Sequence, residues 1–447
     1  MTRSRTTTRA ASATLLLLST LAVAACSSSS DGSSSTGGGI AGSAQKDSKA
    51  AGDGVIKIGL LSTLDGPYAA LGQAANMGAK VALVDAGATL DGTGDRNGIK
   101  DLTIGGQKVE LVVESSDATP DAALAATQRL VEKDDVDVVV GPLSGDEGLA
   151  VKDYAKQHLD TTFVNGTSGA QNTTLRDPAP NFFRFTTDGA QWMAGLGDYA
   201  FTDLGYKKVV TLGEDYSFPY DQVGGFMTQY CAAGGQVPDK IWVPLGTKDF
   251  SSFIATMPTD VDAILVALGG ADVLNFTKQI DQSPLAGKPI LGGSIAVDGS
   301  VVKGLGERAE GIVSAGPVAE LDTPEYKAYA AQLTKLFPNA APPGLFDVGY
   351  YTEMKATLDA LNTIGGKLED GHKALNETLS GMQVVSPSGP VKLDENRQAI
   401  ANNYIFQVTD GASKMIKTIP DVNQTLGMDR AEYVDQPAND RDHPSCP

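Results

Sequence analysis

The sequence predicts an α/β fold of two domains, each a doubly wound parallel sheet covered by helices on both faces. Three observations predict it. Short apolar strand signals alternate with amphipathic helix signals along most of the chain, the pattern of repeated β-α-β units. Several strands, such as residues 136–140, are continuous apolar runs, as sheets buried on both faces require. The part of the chain carrying this rhythm is roughly 390 residues, beyond the size of about 250–300 residues at which one core stops growing.

The elements follow in order. Residues 55–61 form a short apolar strand, and 64–68 form a turn containing Gly66 and Pro67. Residues 69–86 place Leu71, Ala75, Gly78, Ala79, Ala82 and Leu83 at helical spacing. A second strand alternates over 108–114. Residues 120–133 read as an amphipathic helix with Asp117 or Thr119 as its cap. A buried strand at 136–140 ends at Gly141-Pro142, a helix covers 149–158, and a strand covers 161–164. The rhythm resumes with helices at 193–204, 220–233 and 273–282, and strands at 208–212, 241–243, 263–268 and 289–291. Residues 91–106, rich in Gly and Asp, break it as an insertion loop. After Asp421 the apolar rhythm fades, and 426–447 reads as a polar extension with little structure. Open parallel sheets bind ligands at the carboxyl ends of their strands. The loops at 63–71, 141–147, 165–171, 213–220, 268–272 and 292–296 are therefore the ones expected to line a site.

The first residues address the chain. Arg3, Arg5 and Arg9 precede an apolar stretch over 10–25, the length and flank of a signal peptide rather than a membrane span. It ends in Val23-Ala24-Ala25-Cys26, which resembles the bacterial lipobox; that resemblance implies a leader at 1–25 and a lipid on Cys26. Residues 26–53 are mostly Ser, Gly and Ala, a flexible tether with a reach of roughly 30 Å. The expected location is the outer face of the cell membrane. No later stretch offers 18 apolar residues in a row. Of the three cysteines, Cys26 is assigned to the lipid. Cys231 and Cys446, in an oxidising compartment, are a candidate disulfide, the alternative being two unpaired thiols.

Composition and motifs exclude whole classes. A net charge of −19 argues against nucleic acid or an anionic lipid surface as partner. His158, His372 and His443 lie in no metal spacing, no Ser nucleophile elbow or phosphate-binding run is present, and Gly92, Gly94 and Gly98 have the wrong spacing for a dinucleotide loop. The expectation is a protein that is not an enzyme and has no cofactor or metal.

An ordered set of short motifs carries a resemblance. Ile56-Lys57-Ile58-Gly59-Leu60-Leu61 with Gly66-Pro67 and Gly72, then Val138-Val139-Val140-Gly141-Pro142, Phe182-Phe183-Arg184, Glu214-Asp215-Tyr216-Ser217-Phe218, Lys248-Asp249-Phe250 and the Gly-rich 306–311 occur in sequence and at sensible spacing. Over residues 55–407 the chain resembles the Leu/Ile/Val-binding-protein family, the type I periplasmic binding proteins of ABC importers. The resemblance implies two lobes joined by three crossovers, here near Thr186, Ala315 and Ser386. Lobe 1 would comprise 54–187 with 316–385, and lobe 2 would comprise 188–315 with 386–425. It also implies a monomer that captures a small molecule by hinge closure and delivers it to an ABC permease.

Carried over by position, the resemblance places Leu71, Ser144, Gly145, Thr167, Ser168, Phe218, Gly269 and Ser294 at the ligand. Thr167 and Ser168, with Ser144 nearby, would hold a carboxylate. Ser294 stands where a glutamate would pair with an α-ammonium, and burying an ammonium without a countercharge costs several kcal/mol. Asp215 or Asp272 would have to supply the charge from a neighbouring loop. Leu71 and Phe218 make the far end apolar. The expected solute is a small organic acid or amide with an apolar or aromatic body, the alternative being an amino acid. Tyr68 and Gln73 either line the cleft or face solvent, and Trp192 reads as packing. The alternative role is a lipoprotein sensor that reports its ligand to a membrane partner without transport.

Overall fold

The structure, a computed structural model, describes residues 54–446. The expected leader at 1–25, the lipid on Cys26 and the tether at 26–53 lie outside the described residues.

The first sheet follows from the apolar runs. Val55–Thr63 lies at its centre between Gln107–Ser116 and Val138–Val140, followed outward by Thr162–Val164 and Phe182–Phe183, all parallel. Ile58 sits beside Leu111 on one side and Val138 on the other. Successive side chains point to opposite faces. Ile56, Ile58, Leu60, Val138 and Val140 therefore meet helices Ala69–Asp85 and Leu345–Thr363, through Ala75, Ala79, Met354 and Leu358. Leu61, Val139 and Phe163 meet helices Pro120–Gln128 and Gly145–Ala155 on the other face, through Ala123, Ala126 and Val151. Gly78 lets the two helices of the first face touch backbone to backbone: a Cβ there would lie 1.8 Å from the Asp347 carbonyl oxygen. The insertion at 91–106 forms short hairpin pairings, Thr89–Leu90 with Ile99–Lys100 and Thr103–Ile104 with the edge of the sheet.

The second sheet is parallel in one half only. Lys240–Val243, Val209–Glu214, Ala263–Ala267, Ile290–Gly292 and Val313–Gly316 run parallel in that spatial order. Ala399–Thr409 then joins antiparallel, flanked by Gly389–Leu393 and Gln383–Ser386 and paired with Ala412–Val422. Most of Ala412–Val422 is exposed, so it carries no apolar pattern that sequence could register. The chain crosses between the lobes three times: after Phe183, after Gly316 and after helix Lys373–Gly381.

Three helices differ from expectation at the ends that matter. Helix Gly145–Ala155 starts at Gly145 rather than 149, because the Glu147 carboxylate accepts from the Ser144 N–H (2.8 Å) and closes the first turn early. Helix Ser217–Ala232 starts at Ser217 rather than 220, which puts Phe218 in its first turn. The helix expected over 193–204 is shorter, Leu196–Thr202, starting after Gly195 with φ +84°, and a separate short helix, Gly189–Trp192, precedes it. Thr119, not Asp117, caps helix Pro120–Gln128 by accepting from the Ala122 N–H (3.4 Å).

The C-terminal stretch, expected to carry little structure, is ordered by polar and covalent ties rather than by apolar periodicity. It forms helix Arg430–Asp435, buries Tyr433, and ends in a disulfide from Cys446 to Cys231 with the Cα atoms 5.3 Å apart. Trp242 Nε1 donates to the Arg441 carbonyl (3.0 Å), and the Arg176 guanidinium donates to the carbonyls of Val434 and Gln436 (both 2.7 Å). Arg176 lies between the last two strands of the first lobe, Thr162–Val164 and Phe182–Phe183, whereas Trp242 and Cys231 belong to the second. The segment thus straps the two lobes beside their crossovers. Gln424 reinforces the join, donating to Asp188 Oδ2 (2.9 Å) next to the fully buried Arg184.

Candidate functional site

The strand ends and helix starts of the two lobes face each other across one cavity. The first lobe contributes Tyr68 and Leu71 after its first strand, Leu143 to Gly145 after its third, and Thr167 and Gly169 after its fourth. The second lobe contributes Trp192, Tyr216, Phe218 and Ile295. Most of the lining is apolar or aromatic. Trp192 and Phe218 meet edge to face at 5.3 Å between ring centroids, and Tyr216 tilts against Phe218 at 6.2 Å. Trp192 is 2% exposed, yet its Nε1–H has no hydrogen-bond partner among the described residues.

Polar donors gather on the first lobe. Helix Gly145–Ala155 opens at the cavity; Ser144 and Glu147 close its first turn as a capping box, and the leading N–H groups of Gly145 and Asp146 have no intrahelical acceptors. Ser144 Oγ donates to the Ala118 carbonyl (3.3 Å). Thr167 Oγ1 reaches the Leu143 carbonyl only at 3.5 Å, a weak bond that a better acceptor would replace.

Acceptors gather on the opposite side. Tyr68 of the first lobe donates to Glu214 Oε2 of the second (3.3 Å), and its hydroxyl also contacts Tyr216 Oη (3.2 Å). The Gly269 N–H donates to Glu214 Oε1 (3.0 Å). Burial pushes the Glu214 carboxyl up to about 7, and the charge of neighbouring Asp272 adds to the rise. Asp272 accepts from the N–H groups of Gly246 (2.8 Å) and Thr247 (3.1 Å). Burial, and after it the Glu214 charge, raises the Tyr68 phenol.

The lobes touch across this site. Only about 20 Å³ is open to the centre of a water molecule, roughly the room of one ordered water. A second crevice of about 300 Å³ adjoins it at Ile295 and Phe346, between residues 294–303 of the second lobe and the loop that carries Pro342 and Pro343. An organic solute therefore enters the inner cavity only when the lobes part.

Of the expected site residues, the structure brings together Leu71, Ser144, Gly145, Thr167 and Phe218. Ser168 is excluded: its Oγ turns towards helix Gly145–Ala155, 1.8 Å from where a Cβ on Gly148 would sit. Gly269 lies one layer back, supporting Glu214 through its N–H. Ser294 lines the outer crevice, with Oγ accepting from Gln222 Nε2 (2.5 Å). Asp215 is engaged by the Tyr220 hydroxyl and the Arg441 guanidinium, so it does not supply the missing charge. Gln73 is exposed. Trp192, expected as packing, lines the cavity at the end of its short helix. Sequence reasoning missed Phe346, and it reached Glu214 and Ile295 only through their loops, 213–220 and 292–296, without naming either as a site residue. The signal for Glu214 was present: an acid that closes the buried strand run Val209–Glu214 at its carboxyl end.

Comparison with known proteins gives a consistent picture. A family model described as periplasmic binding protein matches residues 55–413. A Leu/Ile/Val-binding protein homolog 6 of Brucella melitensis is 27% identical over 369 residues, 81% of this chain and 89% of the relative. An ABC transporter substrate-binding protein from Sphaerobacter thermophilus is 27% identical with a TM-score of 0.74, covering 83% of this chain and 100% of that one. A solute-binding protein of an ABC transporter from Rhodopseudomonas palustris BisB5, in complex with 3,4-dihydroxybenzoic acid, is 28% identical with a TM-score of 0.72, covering 83% and 99%. These relatives are solute-binding proteins and not enzymes. With its two lobes, three crossovers and a cavity at the strand ends between them, the chain belongs to the periplasmic binding protein family, the extracytoplasmic substrate-binding components of ABC transporters.

Proposed function

We propose that this chain is a lipid-anchored substrate-binding protein of an ABC importer whose cleft takes a small organic acid or amide with an apolar or aromatic body, the lobes closing on it about the three crossovers. The observation that carries the reading is the polarity of the cavity: N–H and O–H donors at Gly145 and Thr167, then a wall of Leu71, Trp192 and Phe218. Donors at a helix start suit an anionic acceptor, because hydrogen bonds to an ionised group are the strong ones. The Rhodopseudomonas relative, crystallised with an aromatic acid, supports the same reading.

Glu214 supports a second reading, an amino acid, because it places an acid in the cleft wall where Ser294 does not; the Brucella relatives bear a Leu/Ile/Val-binding name. The first reading is preferred because both Glu214 oxygens already accept hydrogen bonds, from Gly269 and Tyr68, and the two phenols lie between it and the cavity. Thermal-shift screening of aliphatic and aromatic acids, amides and amino acids separates the two. A ligand at a hundredfold excess over its Kd stabilises the fold by about 2.7 kcal/mol. A shift with an acid or amide and none with leucine or valine is the expected result. The converse would mean that Glu214 pairs an ammonium.

A further inference from the structure

The second lobe's end of the cavity has a hydrogen-bond direction built into it. Above pH 7, where Glu214 is ionised, the one hydroxyl proton of Tyr68 is given to Glu214 Oε2 at 3.3 Å. The 3.2 Å contact between the Tyr68 and Tyr216 hydroxyls must then be donated by Tyr216, whose own single proton is spent on Tyr68. Tyr216 Oη makes no other hydrogen bond among the described residues, and Tyr216 lines the cavity. Its oxygen therefore presents lone pairs and no proton. Gly269 fixes the other Glu214 oxygen through its N–H, and Asp272, itself held by two backbone N–H groups, stands behind it. The chain of donation runs Tyr216 to Tyr68 to Glu214, away from the cavity. The start of helix Gly145–Ala155, which lines the same cavity, presents N–H donors.

We infer that Tyr216, oriented by Tyr68 and Glu214, is a specificity residue that selects a solute carrying a hydrogen-bond donor, a hydroxyl or an amine, on its apolar body. The inference rests on the carboxylate reading above and narrows it to hydroxy- or amino-substituted acids. Tyr68 and Glu214 act as positioning residues: neither needs to touch the solute, but together they decide that Tyr216 accepts rather than donates. An ether oxygen in place of the donor would face lone pair to lone pair and would leave the Tyr216 oxygen unsatisfied in a nearly dry cleft.

The test is a calorimetric comparison at pH 8 of benzoate, 3- and 4-hydroxybenzoate and 4-methoxybenzoate on the full exported chain. One hydroxybenzoate should bind about tenfold more tightly than both benzoate and the methoxy ether, the effect of one well-placed hydrogen bond. In Tyr216→Phe that ratio should fall to about one, and in Glu214→Gln, where the amide can return a proton to Tyr68, it should shrink as well. Melting of each variant without ligand reports whether it folds. If acids bind with no preference for the hydroxyl, if the ether binds as well, or if the preference survives Tyr216→Phe, the inference is overturned while the carboxylate reading stands. If none of the acids binds and leucine does, the carboxylate reading falls and takes this inference with it.

Discussion

Replacing Gly145 with alanine should hold the lobes apart without weakening either one. The residue occupies the first position of helix Gly145–Ala155, where alanine is a better helix former by about 1 kcal/mol. Its φ is not positive, so the backbone tolerates a side chain. The added Cβ would stand 2.6 Å from Ser217 Oγ and 3.3 Å from Phe218 Cβ, both on the opposing lobe, and 3.3 Å from the Ala170 backbone nitrogen on its own lobe. Ser217 can rotate away, but Phe218 is packed against Trp192 and cannot move freely. Overpacking of this kind costs about 1–3 kcal/mol, and the shortest contact, to Ser217, exists only in the closed arrangement. Closure is what makes the bound state tight, so affinity for an acid such as benzoate should drop by about 5- to 150-fold. Titration calorimetry measures the loss, small-angle scattering with saturating ligand measures the residual opening, and melting of the free protein should be unchanged. Wild-type affinity in Gly145→Ala would refute the claim that binding requires these surfaces to meet. A lowered melting point that accounts for the lost affinity would refute it equally.

Other expectations follow from separate features. Cys26→Ala should move the protein from the membrane fraction to the medium with its fold intact; a variant that still pellets with membranes would contradict the lipid anchor. The Cys231–Cys446 bond closes a loop with a sequence separation of 215, so Cys446→Ser should destabilise the fold by at most about 5 kcal/mol in chain-entropy terms. Non-reducing mass mapping that found two alkylatable thiols in the exported protein would contradict the bond. Glu147, Glu214, Asp221 and Asp347 are each pushed up to about 7, first of all by burial, from ordinary values of 4.5 for the glutamates and 3.8 for the aspartates. The folded state therefore holds protons that the unfolded chain releases. The stability these groups contribute is full below their ordinary values and is lost as pH rises through 7. Melting should be higher at pH 5.5 than at pH 8, and the reverse order would show that these carboxyls are ionised in the fold.

The first lobe was legible because its strands are buried on both faces. Residues 138–140 and 162–164 read as strands from apolar content alone, and the glycines and Pro142 after them marked the loops. The antiparallel half of the second sheet was not legible, since Ala412–Val422 has solvent on most of its length and so no alternation. The C-terminal strap escaped apart from the candidate disulfide between Cys231 and Cys446: Arg176 and Trp242 also hold it, and such hydrogen bonds between residues distant in sequence leave no local signal. In the site, Leu71, Ser144, Gly145, Thr167 and Phe218 could be placed because the resemblance, carried over by position, puts each in a loop expected to line the cleft. Ser168 could not be separated from Thr167, because only the packing of its Oγ against Gly148 keeps it out of the cavity lining. Glu214 was passed over because its role depends on Tyr68, 146 residues away.

Titration calorimetry of the exported chain with benzoate at several temperatures, followed by leucine on the same sample, tests the central claim most directly. The account predicts saturable binding of the acid at one site, a negative heat-capacity change from burial of its apolar body against Trp192 and Phe218, and no competition from leucine. Saturable heat with leucine and none with the acid would contradict it.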